Sequence, residues 1–204
     1  MAYKTENDTD APVPLWNIAN ILTIVRLVLV PVFVVIYWVD TPARSWLALI
    51  VFAIAAFTDK LDGYYARSRN LITDFGKLAD SIADKALIIA ALLMLSWHGL
   101  LWWWVTILFI VRELGITALK MGLKNRKVIA AGWHGKIKMA AQSLGIVILL
   151  APWESFLPAG VAQFAYYIGY AVIAVALVFA FTSAYGYIAE GINLVKESSR
   201  KGSR

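Results

Sequence analysis

Six long apolar stretches follow one another along the chain, at 17–39, 43–67, 75–97, 100–121, 128–151 and 160–190. Each is near the roughly 20 residues that an α-helix needs to cross a bilayer. The last is long enough to tilt or to run past it. The breaks between them are short and carry polar residues, Gly or Pro: Asp40–Thr41–Pro42, Ser68–Thr73, His98–Gly99 and Pro152–Pro158. The pattern predicts an all-α integral membrane protein, with six transmembrane helices in one domain over 15–195. Residues 1–14 read as a flexible tail with Glu6, Asp8 and Asp10, unlike the basic start of a signal peptide. Residues 196–204 read as a basic tail. The chain has no visible internal repeat.

Composition strengthens this picture. Of the 204 residues, 61% are hydrophobic, against about 45–50% in a soluble domain. There is no cysteine, which excludes disulfides, thiolate nucleophiles and cysteine-ligated metals. The net charge is +6. In so apolar a chain it points to anionic lipid headgroups or phosphorylated substrates, and not to nucleic acid. Nine Trp and nine Tyr suit aromatic belts at the membrane surfaces. The run Trp102–Trp104 reads as such an anchor, and His98 and His134 read as ordinary interfacial polar residues.

The basic residues are distributed unevenly. Arg67, Arg69 and Lys77 lie around the second connection, Lys120, Lys124, Arg126 and Lys127 around the fourth, and Lys196, Arg200, Lys201 and Arg204 at the C-terminus. The first connection has only Arg44, and the third and fifth have no Lys or Arg. With six spans, the basic connections and both termini share one face, which the positive-inside rule makes cytoplasmic.

That face also carries the chemistry. Residues 59–84 contain Asp59-x2-Asp62-Gly63-x2-Ala66-Arg67-x8-Gly76-x3-Asp80-x3-Asp84. Offsets of three, four, seven and eight share a helix face, so Asp59, Asp62, Gly63, Ala66 and Arg67 line one helix and Gly76, Asp80 and Asp84 the next. A short connection makes the two helices antiparallel neighbours, and four carboxylates converge at the cytoplasmic mouth. Intramembrane carboxylates are costly, and like charges close together add to the cost. Divalent cations relieve it, because oxygen-only ligands suit Mg²⁺, Mn²⁺ or Ca²⁺. Two ions sharing four Asp would suit a phosphoryl displacement. The small residues permit close helix packing or leave room for a ligand, and Arg67 offers a fork suited to phosphate. The plainer alternative is a set of helix-end charges at the interface.

This pattern resembles the signature of the CDP-alcohol phosphotransferase family at all eight fixed positions. The resemblance implies six transmembrane helices, usually in a homodimer. It implies two divalent cations, Mg²⁺ or Mn²⁺, one held by Asp59, Asp62 and Asp80 and the other by Asp59, Asp80 and Asp84, with Asp84 also the catalytic base. It further implies a CDP-lipid site at Asn20, Thr23, Asp62, Gly63, Ala66, Arg67, Thr73 and Gly76. Asn20 and Thr23 belong to Asn17-Ile-Ala-Asn20-Ile-Leu-Thr23, which is similar to the family's first-helix motif except for Ala19 in place of a usual Pro.

Within the family the chain is most similar to the bacterial branch that uses CDP-diacylglycerol as donor and sn-glycerol 3-phosphate as acceptor. The strings 57–63, 75–80, 83–86, 111–117 and 135–138 carry this likeness, and Ser81 departs from a frequent Pro. The implied location is the bacterial plasma membrane. Arg112, Lys136 and Lys138 are candidates for the acceptor's phosphate. Arg112 lies deep in an apolar stretch, where a bare charge is costly, and Glu113 beside it is a possible partner. For the two lysines the alternative is snorkelling to headgroups. Acceptors such as inositol phosphate, phosphatidylglycerol or serine would use the same chemistry. A cation transporter would instead spread its acids along a path to both faces, and a purely structural protein would gain nothing from four costly carboxylates.

Overall fold

A computed structural model describes residues 17–68, 74–122 and 133–202. Within these, the side chains of 19, 60–68, 74, 75, 77, 78, 120, 122, 134, 190 and 192–202 lie outside the description. The described residues form helices α1 (Ile18–Tyr37), α2 (Pro42–Ser68), α3 (Asp74–Trp97), α4 (Trp103–Gly122), α5 (Trp133–Leu150) and α6 (Ala159–Gly202), with one 3-10 turn at Trp153–Ser155. No strand occurs among them. The helices match the six apolar stretches closely. The 44 residues of α6 span about 66 Å at 1.5 Å per residue, and the helix continues past residue 195 into the expected tail.

Local chemistry sets the helix ends. Asn17 caps α1: its backbone is extended, and its Oδ1 accepts from the Asn20 N–H at 2.9 Å. Gly99 ends α3 with φ of +73°. Its N–H donates to the Ser96 carbonyl and that of Leu100 to the Leu95 carbonyl, the paired closure that a left-handed residue after a helix permits.

Among the described residues, four segments are long and apolar enough to cross a bilayer: Asn20–Tyr37, Pro42–Asp59, Gly135–Ser155 and Ala159–Ala189. The helices α3 and α4 differ from these four in their charges. They carry Asp80, Asp84 and Lys85, and Arg112, Glu113 and Lys120, within their apolar lengths. The outward surface is lipid-like, with Val28, Val35, Ile54, Ile107, Val111 and Val178 all exposed. Soluble monomers rarely leave so much contiguous apolar surface uncovered.

The core lies between the helices. On α3, Ala79, Ala83, Leu87, Ala91 and Leu95 recur every four residues and are buried. They face α1 and α2, where Phe33 packs on Phe52 with ring centroids 6.1 Å apart. Helices α5 and α6 approach closely through glycines. A Cβ on Gly145 would come 2.7 Å from the Ile173 side chain, and one on Gly169 2.7 Å from that of Leu149. Small residues allow such close crossings in membranes. Between α3 and α4, the buried hydroxyls of Ser96 and Thr106 hydrogen-bond at 2.7 Å.

Candidate active site

The buried stripe of α1 changes character along its length. Its first half is polar, with Asn17, Asn20, Thr23 and Arg26 all buried, and its second half is apolar, with Phe33 and Tyr37. The polar half lies against the ends of α2 and α3 that carry the carboxylates. Asp59 of α2 and Asp80 and Asp84 of α3 each bring one oxygen within 4.8 Å of the others. Their side chains are partly open, at 28%, 46% and 34% exposure. The convergence expected for Asp59, Asp80 and Asp84 is therefore present. Three oxygens at this spacing, reachable from outside, form a donor set that fits a hard divalent cation.

Arg26 joins this cluster. Its side chain is fully buried, and its Nη1 lies 2.8 Å from Asp59 Oδ1, 3.0 Å from Asp80 Oδ1 and 3.2 Å from Asp84 Oδ1. The motifs of the sequence do not include it. The signal was available, because an arginine inside a first apolar span needs partners.

The nucleotide-side expectations divide. Asn20 and Thr23 are buried on the α1 stripe beside Arg26, and Gly76 is half-buried at the start of α3. Asp62, Gly63, Ala66 and Arg67 continue α2, but their side chains lie outside the described residues, as does Thr73 altogether. Lys85, the residue after Asp84, turns back along its own helix. Its Nζ donates to Ser81 Oγ at 2.6 Å and to the Ser81 carbonyl at 2.9 Å. The serine that replaces a frequent proline thus holds this lysine.

A second charged group lies on α4, α5 and α6. The Oε1 of Glu113 accepts from Arg112 Nη1 at 3.1 Å and from Lys138 Nζ. Arg112 also donates from Nε to the Ala180 carbonyl at 3.2 Å and from Nη2 to Ser183 Oγ. All three charged side chains are at most 14% exposed. Lys138 lies on α5, which packs against the α3 that carries Asp80 and Asp84. Lys136 is not part of this group. It is exposed, because residues two apart on a helix point to nearly opposite sides. Glu113, expected as a possible partner of Arg112, holds Lys138 as well. One turn further along α5, Gln142 is buried, and its Nε2 has no partner among the described residues.

His98 has a structural role. Its Nε2 lies 2.6 Å from the Tyr37 carbonyl at the end of α1, on the side of the bundle away from the carboxylates.

Residues 16–182 match the family profile described as CDP-alcohol phosphatidyltransferase. Over 139 residues the chain is 45% identical to the probable phosphatidylglycerophosphate synthase of Mycobacterium tuberculosis strain H37Rv, covering 67% of this chain and 66% of that protein. The chain thus spans about two thirds of the length of that relative. It is 38% identical over 149 residues to the CDP-diacylglycerol–glycerol-3-phosphate 3-phosphatidyltransferase of Bacillus subtilis strain 168, covering 67% and 77%. The protein of the same name from Escherichia coli K12 is 36% identical over 141 residues, covering 66% and 77%.

Proposed function

The chain belongs to the CDP-alcohol phosphatidyltransferase family, and on that premise we propose that it transfers the phosphatidyl group of CDP-diacylglycerol to sn-glycerol 3-phosphate. The products are phosphatidylglycerophosphate and CMP. The observation that carries this is the meeting of Asp59, Asp80 and Asp84 across two helices, with α3 packed against the helices α4 and α5 that hold the buried Arg112–Glu113–Lys138 group. The names of the bacillar and enterobacterial relatives specify the same donor and acceptor.

Asp59, Asp80 and Asp84, with Asp62 one turn beyond Asp59, would hold the divalent cations, two ions of Mg²⁺ or Mn²⁺. Bound there, such cations neutralise charge on the diphosphate and on the leaving CMP. The protein supplies the remaining functions. Asp84 accepts the proton of the acceptor's 1-hydroxyl. The alkoxide oxygen bonds to the phosphorus that bears diacylglycerol, and the bond from that phosphorus to CMP breaks. Asn20, Thr23, Gly63, Ala66, Thr73 and Gly76 would form the nucleotide cradle, and Arg67 would bind the diphosphate.

Arg112 and Lys138 would bind the acceptor's phosphate. Glu113 holds both cations in place, and the group keeps a net charge of +1 with which to attract the phosphate. The Nε2 of Gln142 would serve an acceptor oxygen, since a buried unmatched donor costs about 1–3 kcal/mol. Exposed Lys136 fits contact with lipid headgroups better than the buried acceptor site.

The six helices would all span the plasma membrane of a bacterium, with both termini and the carboxylates on the cytoplasmic side, and the chain would work as a homodimer. The basic connections at the carboxylate end support this orientation, and α3 and α4 would be carried across by the pairing of their charges.

The deciding assay supplies purified protein and CDP-diacylglycerol with glycerol 3-phosphate, inositol phosphate, phosphatidylglycerol or serine, and counts CMP released. Glycerol 3-phosphate should exceed the others at least about tenfold, which needs only about 1.4 kcal/mol of preference. EDTA should stop the release. A faster alternative acceptor would overturn the acceptor assignment, and undiminished release in EDTA would overturn the cation role.

A further inference from the structure

We propose that Arg26 is a built-in counter-cation of the active site, which shares Asp59, Asp80 and Asp84 with the divalent cations and so opposes their binding while joining α1, α2 and α3. The inference rests on the proposal that these carboxylates hold metal.

The geometry is specific. One nitrogen, Nη1, contacts Oδ1 of all three carboxylates at 2.8, 3.0 and 3.2 Å. Nη1 carries two hydrogens. They serve Asp80 and Asp84, and Asp59 is held as an ion pair. One edge of the delocalised guanidinium charge therefore lies among three oxygens that a metal ion would also use. Each carboxylate has two oxygens and about four acceptor sites. Arg26 can engage one oxygen of each while a cation engages what remains, but the two positive charges are then close neighbours.

Burial sharpens the consequence. Arg26 is fully buried, so water screens its charge little. It lowers the formal charge of the three carboxylates from −3 to −2 and attracts them at all times. Without metal, it offsets the repulsion that would otherwise push α2 and α3 apart. With metal, it repels the ion across the same oxygens. Removing its charge should therefore change two properties in opposite directions, which loss of a packing residue would not do.

The test compares wild type, Arg26→Gln and Arg26→Lys in detergent. Mn²⁺ binding is read from the electron paramagnetic resonance signal of the free ion, and unfolding from tryptophan fluorescence in EDTA and in excess Mn²⁺. For Arg26→Gln the Mn²⁺ dissociation constant should fall at least about tenfold. Its melting temperature should drop in EDTA and recover in excess Mn²⁺. Arg26→Lys, which keeps the charge, should bind Mn²⁺ within about threefold of wild type. Unchanged or weaker Mn²⁺ binding by Arg26→Gln overturns the proposal. So does an Arg26→Gln protein that fails to fold with or without Mn²⁺, since that marks a packing role. Arg26→Lys behaving like Arg26→Gln would place the effect in side-chain shape and overturn it too. If wild type binds no Mn²⁺, the cation site itself falls, an outcome distinct from wild-type binding that the glutamine variant leaves unaltered.

Discussion

The two ends of this helix bundle are held together by different means. At the carboxylate end, buried charge joins the helices: Arg26 to Asp59, Asp80 and Asp84, and Glu113 to Arg112 and Lys138. At the opposite end, aromatic faces and single hydrogen bonds do so. Trp38 stacks on Trp97 with centroids 5.8 Å apart, Trp102 meets Tyr170 at 5.2 Å, and Trp153 donates to the Ile148 carbonyl at 2.7 Å. Aromatic pairs tolerate loss, because each is worth only about 0.5–1.5 kcal/mol beyond its burial. Buried charge does not, because removing one partner strands the other. The chain thus concentrates its costly interactions where phosphate chemistry is proposed and leaves the other end to ordinary interfacial packing.

Substitutions at the two ends should separate these behaviours. The largest effect belongs to Asp84→Asn, which removes the proposed base but keeps its shape. CMP release should fall about a thousandfold, while binding of a CDP nucleotide, followed by calorimetry, stays within a few fold. Full activity would remove Asp84 from the base role.

Next comes Lys138→Ala. Loss of a charged hydrogen bond worth about 1.5–3 kcal/mol should raise the KM for glycerol 3-phosphate by about 10–100-fold, with a smaller change in the KM for CDP-diacylglycerol. Equal changes for both substrates would place Lys138 outside the acceptor site.

The smallest effect belongs to the aromatic end. Trp97→Ala should cost about 1 kcal/mol of stability through the lost stacking, read as a lower melting temperature, and leave kcat unchanged. A large fall in kcat would show that the two ends are coupled.

Much of this was legible in the sequence because it is local. Helix positions follow from runs of apolar residues, and the meeting of Asp59, Asp80 and Asp84 follows from helical offsets and a short connection. What escaped depends on partners distant in the chain. Arg26 is a charge in an apolar run, but its partners Asp80 and Asp84 lie 54 and 58 residues away, and nothing local indicates which face of α1 meets α3. Glu113 was visible beside Arg112, yet its contact with Lys138 spans 25 residues. Lys136 and Lys138 teach the reverse lesson. They were grouped because they share a string, although helical geometry alone puts them on different sides.

The charges of α3 and α4 bear on how the protein is made. A chain entering the membrane helix by helix exposes Arg26 first, then Asp59, and only later Asp80 and Asp84. Arg26 meets all three carboxylates only when three successive segments are side by side. If α3 and α4 cross the bilayer as proposed, Asp80 and Asp84 of α3 meet their counter-charge on the earlier helix α1, and Glu113 of α4 meets Lys138 on the later helix α5. The cluster proposed to hold metal would thus also favour insertion of these helices as a group over insertion one by one.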